Sequence, residues 1–431
     1  MHCSRHQAMM VLLLLWLPLS SVVADELPAS DGAEPPSEAI DADRYDAETV
    51  DEDGDDTADY DVETTVDISD AKKGVLIDSD VRPIVDYFNV DGRDGTSVSD
   101  ERLGARVRLG ANFGITDSLY VGARLAGVCF TDDCDPEFVL DSTTPANNGL
   151  EGGQFTFDEL YLQWFRTERG AIALGRLQTR FVLRGGVYAK SLDRNNSNNV
   201  NVNWTDGLQA TYRARNGWNS SFILERNARD GTGSIRHGQL DFDDSSARNT
   251  YFAGFENITR WGPVSQRGFN VSYLPASLLK DGDPNGRRED YWGFVGRLMF
   301  RWPQRTEGAR FRGGTEIGYA PETATSVAAN LDTSVSGLAW NIVASVMDFR
   351  PRHNIGINYA QTGAGWLLSP QYRPNEELFE IRYQWRPKGF ALLEARVRWR
   401  EDLEQQIGTL QKREAFDFYL RATIEFTLKD R

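Results

Sequence analysis

The side chains best able to do chemistry in this sequence are its arginines. Residues 71–431 contain 38 arginines against 7 lysines, and they carry as many acidic as basic residues. Arginine presents a planar fork of N–H donors that matches a carboxylate or a phosphate group, which lysine does not. The arginines therefore predict either recognition of anionic groups or pairing with the chain's own carboxylates.

Catalytic chemistry has little support. The only histidines after residue 24 are His237 and His353, and there is no Gly-x-Ser-x-Gly segment. A nucleophilic hydrolase needs a serine or cysteine activated by a nearby base. The acidic run at 51–56 offers oxygen ligands but lacks the spacing and closing glutamate of a calcium-binding EF-hand loop. We predict no enzymatic activity, no cofactor and no metal site.

Segments of alternating apolar and polar residues must position the arginines. In 414–428, Phe416, Phe418 and Leu420 alternate with Asp417 and Tyr419. Successive side chains of a strand point to opposite faces, so this segment has one apolar and one polar face. It exceeds the typical strand of about 5–6 residues and can cross a bilayer, which takes about 9–11.

Sixteen segments of this kind follow one another along the chain. We predict strands near 81–90, 101–113, 118–129, 154–165, 170–178, 204–215, 217–227, 248–260, 268–278, 289–302, 309–320, 335–349, 353–361, 377–386, 389–401 and 414–428. Eight long polar connections alternate with seven short ones that carry turn-forming residues. Outer-membrane barrels have this alternation of long external loops and short periplasmic turns.

The two faces indicate what surrounds the strands. Several strands carry two or three arginines on the polar face, which is too many for an interior without water. A barrel with lipid around its apolar face and water against its polar face accommodates them. Tryptophans near the short turns favour an aromatic girdle at one membrane edge: Trp164, Trp218, Trp261, Trp302 and Trp385. The predicted fold is an all-β transmembrane antiparallel barrel of about 16 strands, or 14 to 18 if a weak segment is misassigned.

A set of arginines falls on the face that such a barrel turns inward. We predict that the pore is lined by Arg106, Arg108, Arg124, Arg176, Arg213, Arg297, Arg382, Arg396, Arg398 and Arg400. Fixed cations in a narrow pore favour anion entry. The alternative is that these arginines pair with inward carboxylates and only hold the wall, through Asp158, Glu256, Glu316, Glu380, Glu394 and Glu425.

The third long loop, residues 179–203, is a candidate constriction. Its charged side chains are mostly basic: Arg180, Arg184, Lys190 and Arg194, against Asp193 alone. Two consecutive glycines would let it bend sharply. We predict that it folds into the barrel, with an ordinary surface loop as the alternative.

The two ends of the chain differ in kind. Residues 1–24 have the basic start, apolar run and small-residue cleavage site of a secretory signal peptide. Residues 25–70 hold 19 acidic residues and one arginine and too few apolar residues to fold. We predict a disordered acidic periplasmic arm over 25–78 and a barrel over 79–431. Cys129 and Cys134, the cysteines left after cleavage, are predicted to form a disulfide, with free thiols as the alternative.

The chain resembles Gram-negative outer-membrane porins over residues 79–431. The resemblance is carried by the export signal, the sixteen amphipathic strands, the Leu-Gly-Arg segment at 174–176 before a long third loop, and the closing strand. It implies a water-filled channel for small solutes, often a homotrimer, with the third loop as constriction. The arginine-rich interior is also similar to phosphate-selective porins and to the alginate-export barrel. The sequence departs from the usual porin pattern in its acidic arm and in ending beyond Phe426 with five more residues.

Three functions are compatible with this pattern. The favoured one is passive diffusion of small hydrophilic solutes across the outer membrane, with a preference for anions. The alternatives are a plugged structural or adhesive barrel, and an exporter of an acidic polysaccharide. We expect outer-membrane lipid and lipopolysaccharide as partners and no nucleic acid.

Overall fold

The structure is a computed structural model. It describes residues 75–131, 133–140, 150, 152–188, 190–193, 204–227, 248–282, 286–302, 308–369, 371–388 and 391–429. The predicted signal peptide and residues 25–74 of the predicted arm lie outside these ranges. Among the residues described, no helix is long and apolar enough to cross a membrane.

The described chain is an antiparallel barrel closed by sixteen long strands. In chain order the elements are β1 (Val75–Asp91), β2 (Ser97–Thr116), β3 (Leu119–Phe130), β4 (Glu137–Phe138), β5 (Gln154–Thr167), β6 (Gly170–Leu177), β7 (Thr205–Arg213), β8 (Trp218–Asn227), β9 (Arg248–Asn257), β10 (Val264–Leu279), β11 (Arg288–Trp302), β12 (Arg310–Tyr319), β13 (Leu338–Arg350), β14 (His353–Thr362), β15 (Glu376–Lys388), β16 (Ala391–Asp402) and β17 (Glu414–Lys429). The two-residue β4 is not a wall strand, because it runs parallel to β5 within the second long connection.

The first strand closes the ring by pairing with both the second and the last. Val81 of β1 lies opposite Val107 of β2 and Ile424 of β17. Closure removes every unpaired sheet edge, which a strand in lipid requires. The sixteen predicted strands and the fold class are confirmed.

The barrel begins earlier than predicted. β1 starts at Val75, so residues 75–78, assigned to the acidic arm, belong to the wall and pair with β17. Asp78 lay in the predicted arm and Asp80 just before the predicted strand start at 81, so their carboxylates obscured the beginning of this strand. They share the alternate face of β1 with the buried Arg82.

Burial is inverted relative to a water-soluble protein. On β2, Leu103, Val107 and Leu109 are 48–58% exposed, whereas the alternating Arg106 and Arg108 are 1% and 3% exposed. A charged interior and an apolar exterior are the pattern of a barrel surrounded by lipid.

Aromatic side chains form bands at both ends of the outer wall. Near the short turns, Trp164, Trp261, Trp302 and Trp385 are exposed, and Trp218 lies under the guanidinium of Arg267 at 5.6 Å. Toward the long loops, neighbouring rings meet across β15, β16 and β17, with centroids 5.7 Å and 5.5 Å apart. Two such girdles mark the membrane–water interfaces.

The long loops emerge at one rim and the short turns at the other. The first residue of β1 pairs with Phe113, close to the β2–β3 turn, so the barrel starts at the short-turn rim. At the opposite rim Cys129 and Cys134 are joined by a disulfide, with Cα atoms 4.6 Å apart.

Candidate functional site

The barrel interior is rich in charge and holds more cations than carboxylates. Fifteen arginines and one lysine are buried among the described residues, against eleven aspartates and glutamates. Adding the nearly buried Arg124, Asp80, Asp86 and Glu159 leaves the cations in excess. The interior therefore has a positive bias even though most of its charges are paired.

Two arginines of β16 share one carboxylate of β17. Asp417 Oδ1 accepts from Arg396 Nη2 at 2.7 Å, and Asp417 Oδ2 accepts from Arg398 Nε at 2.6 Å. Both guanidinium groups are 3–4% exposed. Asp417 thus binds two arginines, which also lie near the carboxylates of Asp86 and Glu380.

The same two-to-one arrangement recurs on β1 and β2. Asp80 Oδ1 lies 2.5 Å from Arg106 Nη2 and 3.5 Å from Arg82 Nε. Asp158, on β5, lies 2.7 Å from Arg108. We call the continuous inward surface of these strands the arginine wall; it comprises Arg82, Arg106, Arg108, Arg124, Arg396 and Arg398.

A bulge on β5 supplies a second carboxylate to the wall. The register of β3 and β5 shifts between Arg124 and Leu125, which turns two consecutive acidic residues toward the same guanidinium. Arg124 Nη2 lies 2.9 Å from both Asp158 Oδ2 and Glu159 Oε1. Strict alternation would have sent Glu159 to the lipid face, so the sequence pattern missed it.

Three further predicted pore arginines lie inside the barrel and pair with carboxylates. Arg297 Nε is 3.1 Å from Glu316, Arg382 Nη2 is 2.6 Å from Glu380, and Arg400 Nη1 is 3.2 Å from Glu376. All three guanidinium groups are at most 1% exposed. The predicted alternative of a paired wall therefore describes much of the interior.

Two of the predicted pore arginines have other positions. Arg176 hydrogen-bonds Asp206 through Nε and Nη2, donates to the carbonyls of Phe157 and Leu140, and lies 4.1 Å from the ring of Trp204. Such a saturated guanidinium holds loops together rather than facing a solute. Arg213 is exposed on the short-turn rim, because β7 ends at this residue.

The third loop, residues 178–204, folds into the barrel in its described part. Val182, Leu183, Val187 and Leu192 are at most 1% exposed. The backbone N–H of Arg184 donates to Gln266 Oε1 at 2.8 Å. A surface loop could not bury these residues, so the structure places this loop in the interior, as the predicted constriction requires.

Charged side chains of the third loop pair with the wall. Arg184 lies 3.4 Å from Glu256, and Lys190 Nζ lies 2.6 Å from Glu380 Oε2. Asp193 accepts a hydrogen bond from Asn270. Burial, with repulsion from Arg184, lowers the pKa of Arg180 to about 9, so it stays charged at neutral pH. Arg194 lies outside the described residues.

Backbone and hydroxyl groups pin the tip of the loop. Ser191 Oγ donates to Glu316 Oε1 at 3.0 Å, and the N–H of Leu192 donates to Glu316 Oε2 at 2.9 Å. Tyr188 donates from its hydroxyl to the carbonyl of Glu380 at 3.2 Å. Partners on both β12 and β15 hold the loop in one path.

A second loop enters the interior, which sequence analysis did not predict. In the seventh loop, residues 363–375, Trp366 is fully buried and donates from Nε1 to the carbonyl of Leu192 at 3.2 Å. The wall makes room for it, since a Cβ on Gly318 would lie 2.9 Å from the indole. The sequence signal that could have indicated this was the apolar run Trp366-Leu367-Leu368, together with Tyr372.

The interior thus has two unlike sides. The third and seventh loops pack against β9, β10, β12, β13 and β15. The arginine wall lies on β16, β1, β2 and β3. Apolar loop residues also pack beside it, since Leu150 and Trp204 cluster with Ile84, Ala126 and Tyr419.

No metal chemistry is indicated within the described part of the chain. It contains no group of three or more histidine, cysteine or acidic side chains placed to hold a metal ion. His353 stacks on Trp385 in the outer aromatic band, with centroids 5.6 Å apart.

Comparison with known proteins gives a resemblance in fold only. The chain matches no protein-family model and no curated protein sequence. Among solved structures it is similar to OprB of Pseudomonas putida, with a TM-score of 0.54 and 11% identity over 82% of this chain and 94% of that one.

A second similar structure is the outer membrane channel DcaP of Acinetobacter baumannii. Its TM-score is 0.50 and its identity 14%, over 82% of this chain and 98% of that one. At these identities the comparison concerns architecture and not activity. In its fold, this chain is a sixteen-stranded barrel of the kind found in Gram-negative outer-membrane porins, as its sequence predicts.

Proposed function

We propose that this chain is an outer-membrane porin, a passive diffusion channel for small hydrophilic solutes that favours anions. The closed barrel, its apolar outer band and its charged interior support a membrane channel. The outer membrane of a Gram-negative bacterium is the location that fits this fold, with lipid and lipopolysaccharide around the wall.

The observation that carries the anion preference is the ratio of charges on the arginine wall. Asp80 and Asp417 each pair with two arginines, while Arg108 and Arg124 face two carboxylates, Asp158 and Glu159. A solute carboxylate or phosphate would meet guanidinium groups whose charge the protein has only partly cancelled. A cation would meet repulsion along the same surface.

Solute uptake by liposomes tests this proposal. Liposomes carrying the chain without residues 1–24 should swell in isotonic solutions of small sugars. They should swell faster with an organic anion than with a cation of equal size. Replacing Arg396 and Arg398 by glutamine should reduce that difference. Swelling that is equal for both ions, or faster for the cation, would overturn the anion preference.

A plugged structural barrel is the second candidate, and the packed loops favour it. Trp366 and Leu192 are fully buried inside the barrel, and the wall arginines are 1–14% exposed. A folded barrel that gives neither swelling nor conductance would establish this second function in place of the first.

The homotrimer that the resemblance implies is part of the proposal. The mass of the protein in a non-ionic detergent, corrected for bound detergent, tests it. Three copies per particle would support a trimer, and one copy would rule it out under those conditions.

A further inference from the structure

The two rims of the barrel carry opposite charge. In the described short turns and adjoining strand ends, seven arginines are exposed against two acidic residues, Asp117 and Glu168. We call these arginines the basic rim: Arg166, Arg169, Arg213, Arg215, Arg260, Arg350 and Arg352.

The long-loop rim has the reverse balance. Eleven acidic residues are exposed in its described loops and strand ends, against three cations with exposed side chains, Lys280, Arg287 and Lys412. The acidic residues are Asp94, Glu101, Asp133, Asp135, Glu137, Asp281, Asp290, Glu322, Asp332, Glu401 and Glu414. The barrel therefore has a positive end and a negative end.

The chain before the barrel is strongly acidic and joins it at the positive end. Residues 41–70 contain fourteen acidic residues and one basic residue, Arg44. They connect through residues 71–74 to Val75, whose partner Phe113 lies beside the β2–β3 turn. Extended, thirty residues reach about 100 Å, so every turn of the rim is within their range.

We propose that the acidic segment 41–70 docks on the basic rim of its own barrel. Complementary charge brings the two together, and the long-loop rim repels the segment. Exposed ion pairs are individually weak, but the covalent link keeps the segment at a high effective concentration beside the rim. Docking places its carboxylates around the barrel mouth.

The basic rim has cations available for this role. Within the described part of the chain, Arg166, Arg169, Arg215, Arg260 and Arg350 make no ion pair. They belong to four different turns, so a partner must extend around the rim to contact them all. A long acidic chain meets that requirement. Anionic phospholipid headgroups are the alternative occupant.

Protection of the segment from trypsin tests the proposal in the chain without residues 1–24, with Lys72 and Lys73 replaced by glutamine so that trypsin does not detach the segment from the barrel. The protein is placed in nanodiscs of zwitterionic phosphatidylcholine, which offer no anionic lipid and leave both rims open. Cleavage after Arg44 is followed by mass. We expect cleavage about tenfold slower near 50 mM than near 500 mM salt, because screening releases the segment.

Variants in both partners make the test specific. Neutralising the basic rim should make cleavage fast at low salt. This variant carries R166Q, R169Q, R215Q, R260Q and R350Q. The control R287Q with K412Q, at the other rim, should keep it slow. A variant with a neutralised segment should also be cleaved fast at low salt; it carries D51N, E52Q, D53N, D55N and D56N. Because these changes lie outside the barrel, this variant still tests the proposal if the rim variant does not fold.

Two results would overturn the proposal. One is that, at low salt, the unmodified chain is cleaved as fast as the variant with the neutralised segment. The other is an effect of the rim variants only in nanodiscs containing phosphatidylglycerol, which would assign the rim to lipid headgroups. The test does not depend on solute passage, so it can succeed or fail independently of the channel proposal.

Discussion

Single carboxylates set the charge that a solute meets on the arginine wall. Asp417 is the clearest case, because both of its oxygens hold an arginine. Asparagine would keep a hydrogen-bond acceptor in place while removing the negative charge. The wall would gain one net positive charge with little change in shape.

We therefore expect Asp417→Asn to raise the ratio of anion to cation permeability. A unit charge about 8 Å from an ion in water contributes about 0.5 kcal/mol, favourable for the anion and unfavourable for the cation, so the ratio changes by about fivefold before screening by salt. The reversal potential in a salt gradient measures it. Glu401→Gln, exposed at the end of β16, is the control. A ratio no higher than that of the control would contradict this role for the wall.

Arg176 shows a different use of the same side chain. Its hydrogen bonds to Asp206, Leu140 and Phe157 connect three parts of the chain, and a lysine cannot reproduce the fork. We expect Arg176→Lys to lower the free energy of unfolding by about 3 kcal/mol, since a buried charged pair would be broken.

Urea unfolding of the barrel in detergent measures that loss. Arg213→Lys is the matched control, because Arg213 is exposed on the next strand and should change stability by less than about 0.5 kcal/mol. Equal effects of the two substitutions would show that Arg176 does not anchor these loops.

For single residues, the sequence predicted which side chains face the interior better than it predicted which residues they pair with. Arg396 and Arg398 lie on the inward face as alternation requires, and their sharing of Asp417 depends on the register of β16 and β17. Glu159 was missed because the bulge on β5 breaks alternation. Arg176 was misjudged as pore-lining because its partners come from β7, from the carbonyl of Phe157 on β5 and from the loop carbonyl of Leu140, which no local pattern reveals.

Among the structural elements, the loops that fold inward decide whether the barrel is open or narrow. The third loop is held by Lys190 and Ser191 on wall carboxylates, and the seventh loop covers it with Trp366. Wall glycines accept these side chains, as Gly318 does for the indole. Loops and wall therefore fit as one packed unit.

We predict that Gly318→Val displaces Trp366 and loosens both loops, which raises single-channel conductance. The added methyl groups have no room, and the indole is the side chain that must move. Gly296→Val on β11 is the control, because a Cβ there meets nothing within 4 Å. Conductance equal to that of the control would show that the seventh loop does not limit the opening.

The two loops were predictable to different degrees. The third loop was assigned to the interior from its length, its basic residues and Gly185 and Gly186, and its described part is buried. The seventh loop was treated as an external connection, because Trp366 and Tyr372 carry no sign of which surface they will cover. Its place depends on cavities left by glycines on distant strands, which periodicity cannot show.

For the whole molecule, alternation and loop lengths were sufficient to predict the barrel. All sixteen wall strands were predicted, and most boundaries agree within four residues, because a strand between lipid and water must alternate over its full length. The largest error is the start of β1, where the acidic residues beside Val75 resembled the segment before them.

The asymmetry of charge between the two rims also belongs to this scale. No single turn or loop has an unusual charge. The difference in charge between the rims appears because the strand order places all short turns at one end of the barrel. It gives the barrel a polarity that matches the acidic segment preceding β1, with consequences for how ions approach each mouth.

The central proposal is that ions cross this barrel along a positively biased wall. The most direct measurement is the conductance and reversal potential of residues 25–431 in a planar bilayer under a salt gradient. We predict steady conductance with a reversal potential on the anion side. A reversal potential on the cation side would contradict the role of the arginine wall, and a folded barrel without conductance would contradict the channel itself.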